Sequence, residues 1–320
     1  MAFTYSPNQF KAKHFEEIFS EILYSNNTVS RSNVVRVLDN VKSERPVTTM
    51  GGDINWSGYT SSPDITQYTD ALSAADELIS PKKIMALATF TYDDLRNTRF
   101  EESMSAGAKN VTSDEFTQAV LSYSIPRLGL SYEKKYWQGV ASATKTAIAS
   151  GSAPSNQKTV IAALAPDLTD GVLAQAVKKA DTINVTGTTL TISNLKTEFN
   201  KVYTAIPAAV EQSGEAVIFA PWSVRKLIKQ ANQAEQYRDV FGVNGDSFDF
   251  LGIRIEFVPL PENVMIAGRW SDIVLGTDLL SDIGEIEIGK VTNYGDQMFI
   301  KAVATLGSVV LISKQKVIYA

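Results

Sequence analysis

From Pro46 the chain reads Pro-Val-Thr-Thr-Met-Gly-Gly-Asp-Ile-Asn-Trp-Ser-Gly-Tyr, a run of β-formers and glycine with few core residues. Ser61, Ser62, Pro63 and Asp64 read as a turn, and a second polar β-like run contains Ile65, Gln67 and Tyr68. The pattern predicts a long two-stranded excursion. An isolated hairpin is at best marginal in water, so this one has to lie on another surface. The N-terminal stretch, to about Ser32, poses the same problem. Phe15, Ile18, Phe19, Ile22 and Leu23 recur at helical spacing, and Asn26, Asn27, Thr28 and Ser30 end the segment. So short a helix needs to dock, either on the body of the chain or on a neighbouring copy. Ordering each residue costs roughly 1–2 kcal/mol of backbone entropy, to be recovered by burial elsewhere.

The rest of the 320 residues can build a core. Hydrophobic residues make up 44% and charged residues 20%, enough for one large domain or two modest ones. Val34, Val35, Val37, Leu38 and Val41 suggest a β segment. Glu77-Leu-Ile-Ser-Pro-Lys-Lys-Ile-Met-Ala-Leu-Ala-Thr-Phe-Thr reads as a strand interrupted by a proline turn, and Asp93 to Met104 as a short helix. Thr112 with Glu115 forms a capping-box pattern before a long helix from Asp114 toward Ala143, in which Pro126 predicts a kink. Ser-Gly-Ser-Ala-Pro-Ser-Asn, after Ala149, is a candidate domain boundary.

Beyond it, helices and strands alternate. Asp170 to Lys179 reads as a helix. Ser193 reads as the cap of another, with Leu195, Phe199, Val202, Tyr203 and Ile206 on one face. Glu215 to Ala220 is a buried strand, and Pro221 opens a helix running to about Ala234. Asn244-Gly-Asp reads as a flexible loop. The remainder is β in character: Ile253 to Val258, Val264 to Ala267, Ile283 to Ile288, Met298 to Val303 and Val309 to Ile312.

Chemistry is hard to find. The chain has no cysteine, which excludes disulfides, thiolate metal sites and a cysteine nucleophile. Its one histidine, His14, sits in the polar N-terminal stretch and reads as a surface residue. A zinc site lacks ligands, and no phosphate-cradling or dinucleotide glycine signature occurs. Ser80/Lys83 and Ser142/Lys145 match Ser-x-x-Lys without its partner motifs. Asp93/Asp94 and Glu101/Glu102 are adjacent pairs; neighbours on a helix point about 100° apart and do not converge. No catalytic, cofactor-binding or metal residues are therefore assigned, and no cofactor is expected. The Asn-x-Thr triplets at Asn26, Asn110 and Asn184 read as chance, because no secretory signal precedes them. No apolar run approaches the roughly 20 residues that span a bilayer. A net charge of -5 disfavours gripping nucleic acid. Trp56 and Tyr59, in a segment with no core to bury them, read equally as a local packing cluster and as interface anchors.

The order of parts resembles the major capsid proteins of tailed bacteriophages, the Hong Kong 97-type fold. Leu78-Ile-Ser-Pro-Lys-Lys-Ile-Met-Ala-Leu-Ala-Thr-Phe-Thr-Tyr-Asp-Asp-Leu is similar to the strand and helix that leave that family's extended loop. Tyr132-Glu-Lys-Lys-Tyr-Trp-Gln-Gly resembles the end of its spine helix. Ala216-Val-Ile-Phe-Ala-Pro-Trp-Ser-Val-Arg-Lys-Leu resembles the strand and helix of its axial domain. Gly252-Ile-Arg-Ile-Glu-Phe-Val-Pro-Leu-Pro and Ile273-Val-Leu-Gly-Thr-Asp-Leu resemble its return to the peripheral domain.

The resemblance implies an α+β chain with an N-terminal arm over 1–33 and an extended β-hairpin loop with flanking strands over 34–83. The first part of a peripheral domain follows over 84–148, with a spine helix at about 113–143. An axial domain covers 149–251, and the peripheral strands return over 252–320. It implies a non-enzymatic subunit that self-assembles as pentamers and hexamers into an icosahedral shell around double-stranded DNA, without sequence-specific binding. Portal, scaffolding and decoration proteins would be partners, and no membrane. The virion, assembled in the host cytoplasm, would be its place. Trp56, Tyr59, Phe15 and Phe19 would be assembly contacts. No long coiled-coil segment precedes the arm, so the resemblance implies a separate scaffold or the prior removal of a fused one, and no motif assigns the lysine–asparagine crosslink of some relatives. An encapsulin-type compartment shares this fold. A tail or decoration protein, and a carboxylate-based hydrolase, are the more distant alternatives.

Overall fold

Three sheets organise the chain, in a computed structural model that describes residues 28, 31, 33–51, 56, 58–62, 72–91, 114–233, 240–278, 286–291 and 297–320. A two-stranded sheet pairs β2 (Arg45–Gly51) with β3 (Ser73–Ile79) antiparallel, from Arg45↔Ile79 to Gly51↔Ser73. A five-stranded sheet is centred on the long β13 (Gln297–Val310). β1 (Arg36–Leu38) runs parallel to β11 (Ile273–Gly276), and β11 is antiparallel to the C-terminal end of β13. β4 (Lys82–Thr91) and β12 (Ile286–Lys290) flank its other end. The third sheet has seven strands in the order β5-β14-β10-β6-β9-β8-β7. Its members are β5 (Ile183–Val185), β6 (Ala216–Pro221), β7 (Phe241–Asn244), β8 (Ser247–Phe250), β9 (Ile253–Val258), β10 (Met265–Arg269) and β14 (Val317–Tyr319).

Local sequence explains each piece. β6 is buried at every position after Ala216, as an apolar central strand should be. Pro221, with no N–H to lose, stands at the N-cap of α7 (Trp222–Ala231), which buries Val224, Ile228 and Ala231. Beside it, α5 (Leu195–Ala205) buries Leu195, Phe199 and Val202 against the same sheet. The Phe199 ring meets Phe241 and Phe250 at centroid distances of 5.4 Å each. A second core joins the five-stranded sheet to the long α1 (Asp114–Gln138) and to α4 (Val172–Lys178), whose residues Val172, Leu173, Ala174, Ala176 and Val177 are all buried. α2 (Ser142–Ser150), α3 (Ser155–Ala163) and the short α6 (Ala208–Gln212) complete the helices of the described residues.

Several elements differ from the expectations. α1 ends at Gln138, not near Ala143. Gly139 stops it: a Cβ there would stand 2.8 Å from the Thr169 carbonyl, and its own carbonyl accepts from Gly171 N–H at 2.7 Å. Asp170 then caps α2, accepting from Ala141 N–H at 2.8 Å and the Thr144 hydroxyl at 2.6 Å. Asn194, not Ser193, holds the N-cap of α5, with its Oδ1 turned back to accept from Thr191 N–H at 2.8 Å. Asn244-Gly-Asp is not a flexible loop. It is the tight turn of the β7–β8 hairpin, with Gly245 at φ +62°. The runs at Met298 and Val309 are one strand, β13. The β segment expected from Val34 shrinks to Arg36–Leu38, and the partner of β2 is Ser73–Ile79. Ile65, Gln67, Tyr68, Asp93/Asp94, Glu101/Glu102, Thr112 and His14 lie outside the described residues.

Candidate assembly surface

The β2–β3 hairpin is held at its base. Val41, Val47 and Ile79 pack with Val274, Val309 and Leu311 in a small core of their own. Ile79, 0% exposed, enters a notch made by two glycines that face each other across β11 and β13, Gly276 and Gly307. A Cβ on Gly276 would stand 2.5 Å from Ile79 Cδ1, and one on Gly307 3.2 Å from Ile79 Cγ1. Around this plug, Lys179 Nζ sits 2.5 Å from Glu77 Oε1 and donates to the Val310 carbonyl at 2.8 Å. The Ser80 hydroxyl donates to Glu44 Oε1 at 2.6 Å. The hairpin is thereby tied to α4 and β13 at its base.

Beyond the base, few described residues are buried. Val47 is the one buried residue of β2, and Met50, Leu72 and Leu78 stand exposed. Trp56 is 102% exposed and Tyr59 94%, which places both fully in solvent within this chain. Among the described residues, none covers either ring. On β4 the alternation of faces continues the exposed surface. Ile84 is buried toward α1, while Met85 and Leu87, pointing the other way, are exposed.

The residue that leads out of the N-terminal stretch is anchored more firmly. Thr28 N–H donates to Glu133 Oε1 at 2.9 Å, and the Thr28 hydroxyl donates to the same oxygen. That hydroxyl also accepts from Trp137 Nε1 at 2.9 Å. Glu133 and Trp137 are buried on α1, so a carboxylate in the core is satisfied by a chain segment more than a hundred positions away. Phe15 and Phe19 lie outside the described residues. The role of Glu133 was hidden in the sequence, because its hydrogen-bonding partner is distant along the chain.

One cavity, of about 520 Å³, lies between the end of α1 and the segment 163–167. Lys135 at its wall is already held by both oxygens of Asp167, at 2.7 and 2.6 Å. Among the described residues no group of three or more His, Asp or Glu is placed to hold a metal ion. No helix of the described residues is long and apolar enough to cross a membrane.

No family model matches the sequence, and no curated protein does. The fold, however, is shared with solved phage structures. The chain is similar to one from the satellite phage P4 procapsid that includes the size determination (Sid) protein, with TM-score 0.56 and 13% identity, covering 95% of this chain and 98% of that one. It is also similar to chains from Mycobacterium phage Ogopogo, with TM-score 0.50 and 12% identity, and Mycobacterium phage Adephagia, with TM-score 0.50 and 10% identity. Each of these covers 100% of this chain and 94% of the other. The chain thus has the mixed α and β fold of phage capsid proteins, the Hong Kong 97-type fold of tailed-phage major capsid proteins.

Proposed function

We propose that this chain is the shell subunit of a tailed-phage capsid, assembling with copies of itself into pentamers and hexamers around double-stranded DNA. One observation supports the reading: the hairpin is packed at its base through Val47 and Ile79, while Trp56 and Tyr59 stand exposed and no described residue covers them. Ordering such a segment gains little within one subunit and much across a contact repeated by symmetry. The net charge of -5 suits a wall that encloses DNA without trapping it. In this reading 1–33 is the arm, 34–83 the extended loop, 84–148 and 252–320 the peripheral domain, and 149–251 the axial domain. Trp56, Tyr59, Phe15 and Phe19 are contacts between copies. Portal, scaffolding and decoration proteins complete the particle, assembled in the host cytoplasm and carried in the virion.

The test is to replace residues 52–72 with a short turn, leaving Val47 and Ile79 in place. The shortened chain should fold and fail to form shells in negative-stain electron micrographs. Closed shells of normal size from it would overturn the proposal. Particles of the natural chain filled with an enzyme instead of DNA would move the assignment to an encapsulin-type compartment.

A further inference from the structure

The chain passes between its two large sheets at two adjacent crossings that run in opposite directions. β10 leaves the seven-stranded sheet, turns through Trp270–Asp272 and enters the five-stranded sheet as β11. β13 leaves the five-stranded sheet, turns through Ser313–Gln315 and enters the seven-stranded sheet as β14. Leu311 N–H donates to the Asp272 carbonyl at 2.8 Å and joins the two crossings.

Lys316 spans them as well. It is 0% exposed, and its ammonium donates to the Arg269 carbonyl at the start of the other crossing. Gly268, at φ +154°, makes this possible: a Cβ there would stand 2.6 Å from Lys316 Cδ. The ammonium lies 3.4 Å from Asp272 Oδ2, an oxygen that makes no hydrogen bond. The other charged groups facing it are Arg269 and Glu215. Glu215 is engaged elsewhere, accepting from the Ser271 hydroxyl at 2.6 Å and lying 3.8 Å from Arg269 Nε. One carbonyl and one poorly aligned carboxylate do not replace the hydration that a buried ammonium loses. If the crossings separate, the lysine regains water.

We propose that this junction is a proton-loaded hinge: charged Lys316 biases the paired crossings toward opening, and loss of its proton draws them shut. Burial lowers the pKa of Lys316 from 10.5 to about 8, outweighing the raising influence of Asp272. The sign follows from linkage. Below about pH 8 the closed junction carries the full cost of the buried charge, and that cost fades as pH rises toward the value of an exposed lysine. Between pH 7 and pH 9 the opening equilibrium should fall about tenfold.

Hydrogen exchange of the full chain, read by mass spectrometry and corrected for the intrinsic pH dependence of exchange, tests this. Peptides covering 265–276 and 309–319 should be about tenfold better protected at pH 9 than at pH 7, while those covering α5 should not change. Lys316→Arg keeps its charge at both pH values and should abolish the difference. Equal junction protection at both pH values in the natural chain would overturn the hinge. So would a pH difference that survives in a folded Lys316→Arg variant. The natural chain measured against the α5 control decides the matter alone if that variant does not fold.

Discussion

The seven-stranded sheet and the β2–β3 hairpin are both made of short β segments, and they meet opposite fates. In β6 every residue after Ala216 is buried, with α5 and α7 packed alongside. Among the described residues of β2 and β3 the buried ones are Val47 and Ile79, and Met50, Trp56, Tyr59 and Leu72 stand exposed. One region is stable through its own chain. The other is positioned by its own chain, and among the described residues little covers it beyond its base. The difference teaches that pairing of backbones and burial of side chains are separable. Strands can register with each other while their apolar cover has to come from outside.

The sharpest way to break the comparison is to damage the self-sufficient side. Phe199→Ala removes a ring fully enclosed by Phe241 and Phe250. It should cost about 3–5 kcal/mol in urea unfolding, a large share of the roughly 5–15 kcal/mol that a domain has. A loss under about 1 kcal/mol would mean that this sheet is not the stable half.

At the junction of the two regions the effect should divide. Ile79→Ala empties the notch between Gly276 and Gly307. We expect about 2–4 kcal/mol lost locally, seen as rapid proteolysis between β2 and β3, with a smaller change in global unfolding. Equal losses at the hairpin and across the whole chain would show that the hairpin is part of the main cooperative unit.

How far these regions could be read beforehand follows from where their information lies. The break between β3 and β4 at Ser80-Pro81, the burial of β6 and the apolar face of α5 rest on local patterns, and they were legible. The poverty of core residues between Pro46 and Tyr59 was legible for the same reason. The notch was not. Gly307 and Ser308 look like a strand break, yet they lie inside β13, where Gly307 admits Ile79 and the Ser308 hydroxyl donates to the Asp170 carbonyl at 2.5 Å. Lys316 follows Lys314-Gln315 in sequence, and only the two crossings reveal that it is enclosed. Glu133 needed Thr28 beside it to be understood. Each of these depends on a contact distant in sequence, which no periodicity encodes.

The gentlest change bears most directly on the exposed region. The double substitution Trp56→Ala with Tyr59→Ala removes two fully exposed rings that no described residue covers. Sedimentation velocity of this variant beside the natural chain should give unchanged folding, within about 0.5 kcal/mol for the unassembled subunit, and a loss of large closed particles. A variant that still sediments as full-size shells, or one whose isolated subunit is itself destabilised by several kcal/mol, would contradict the view that these side chains wait for a second copy.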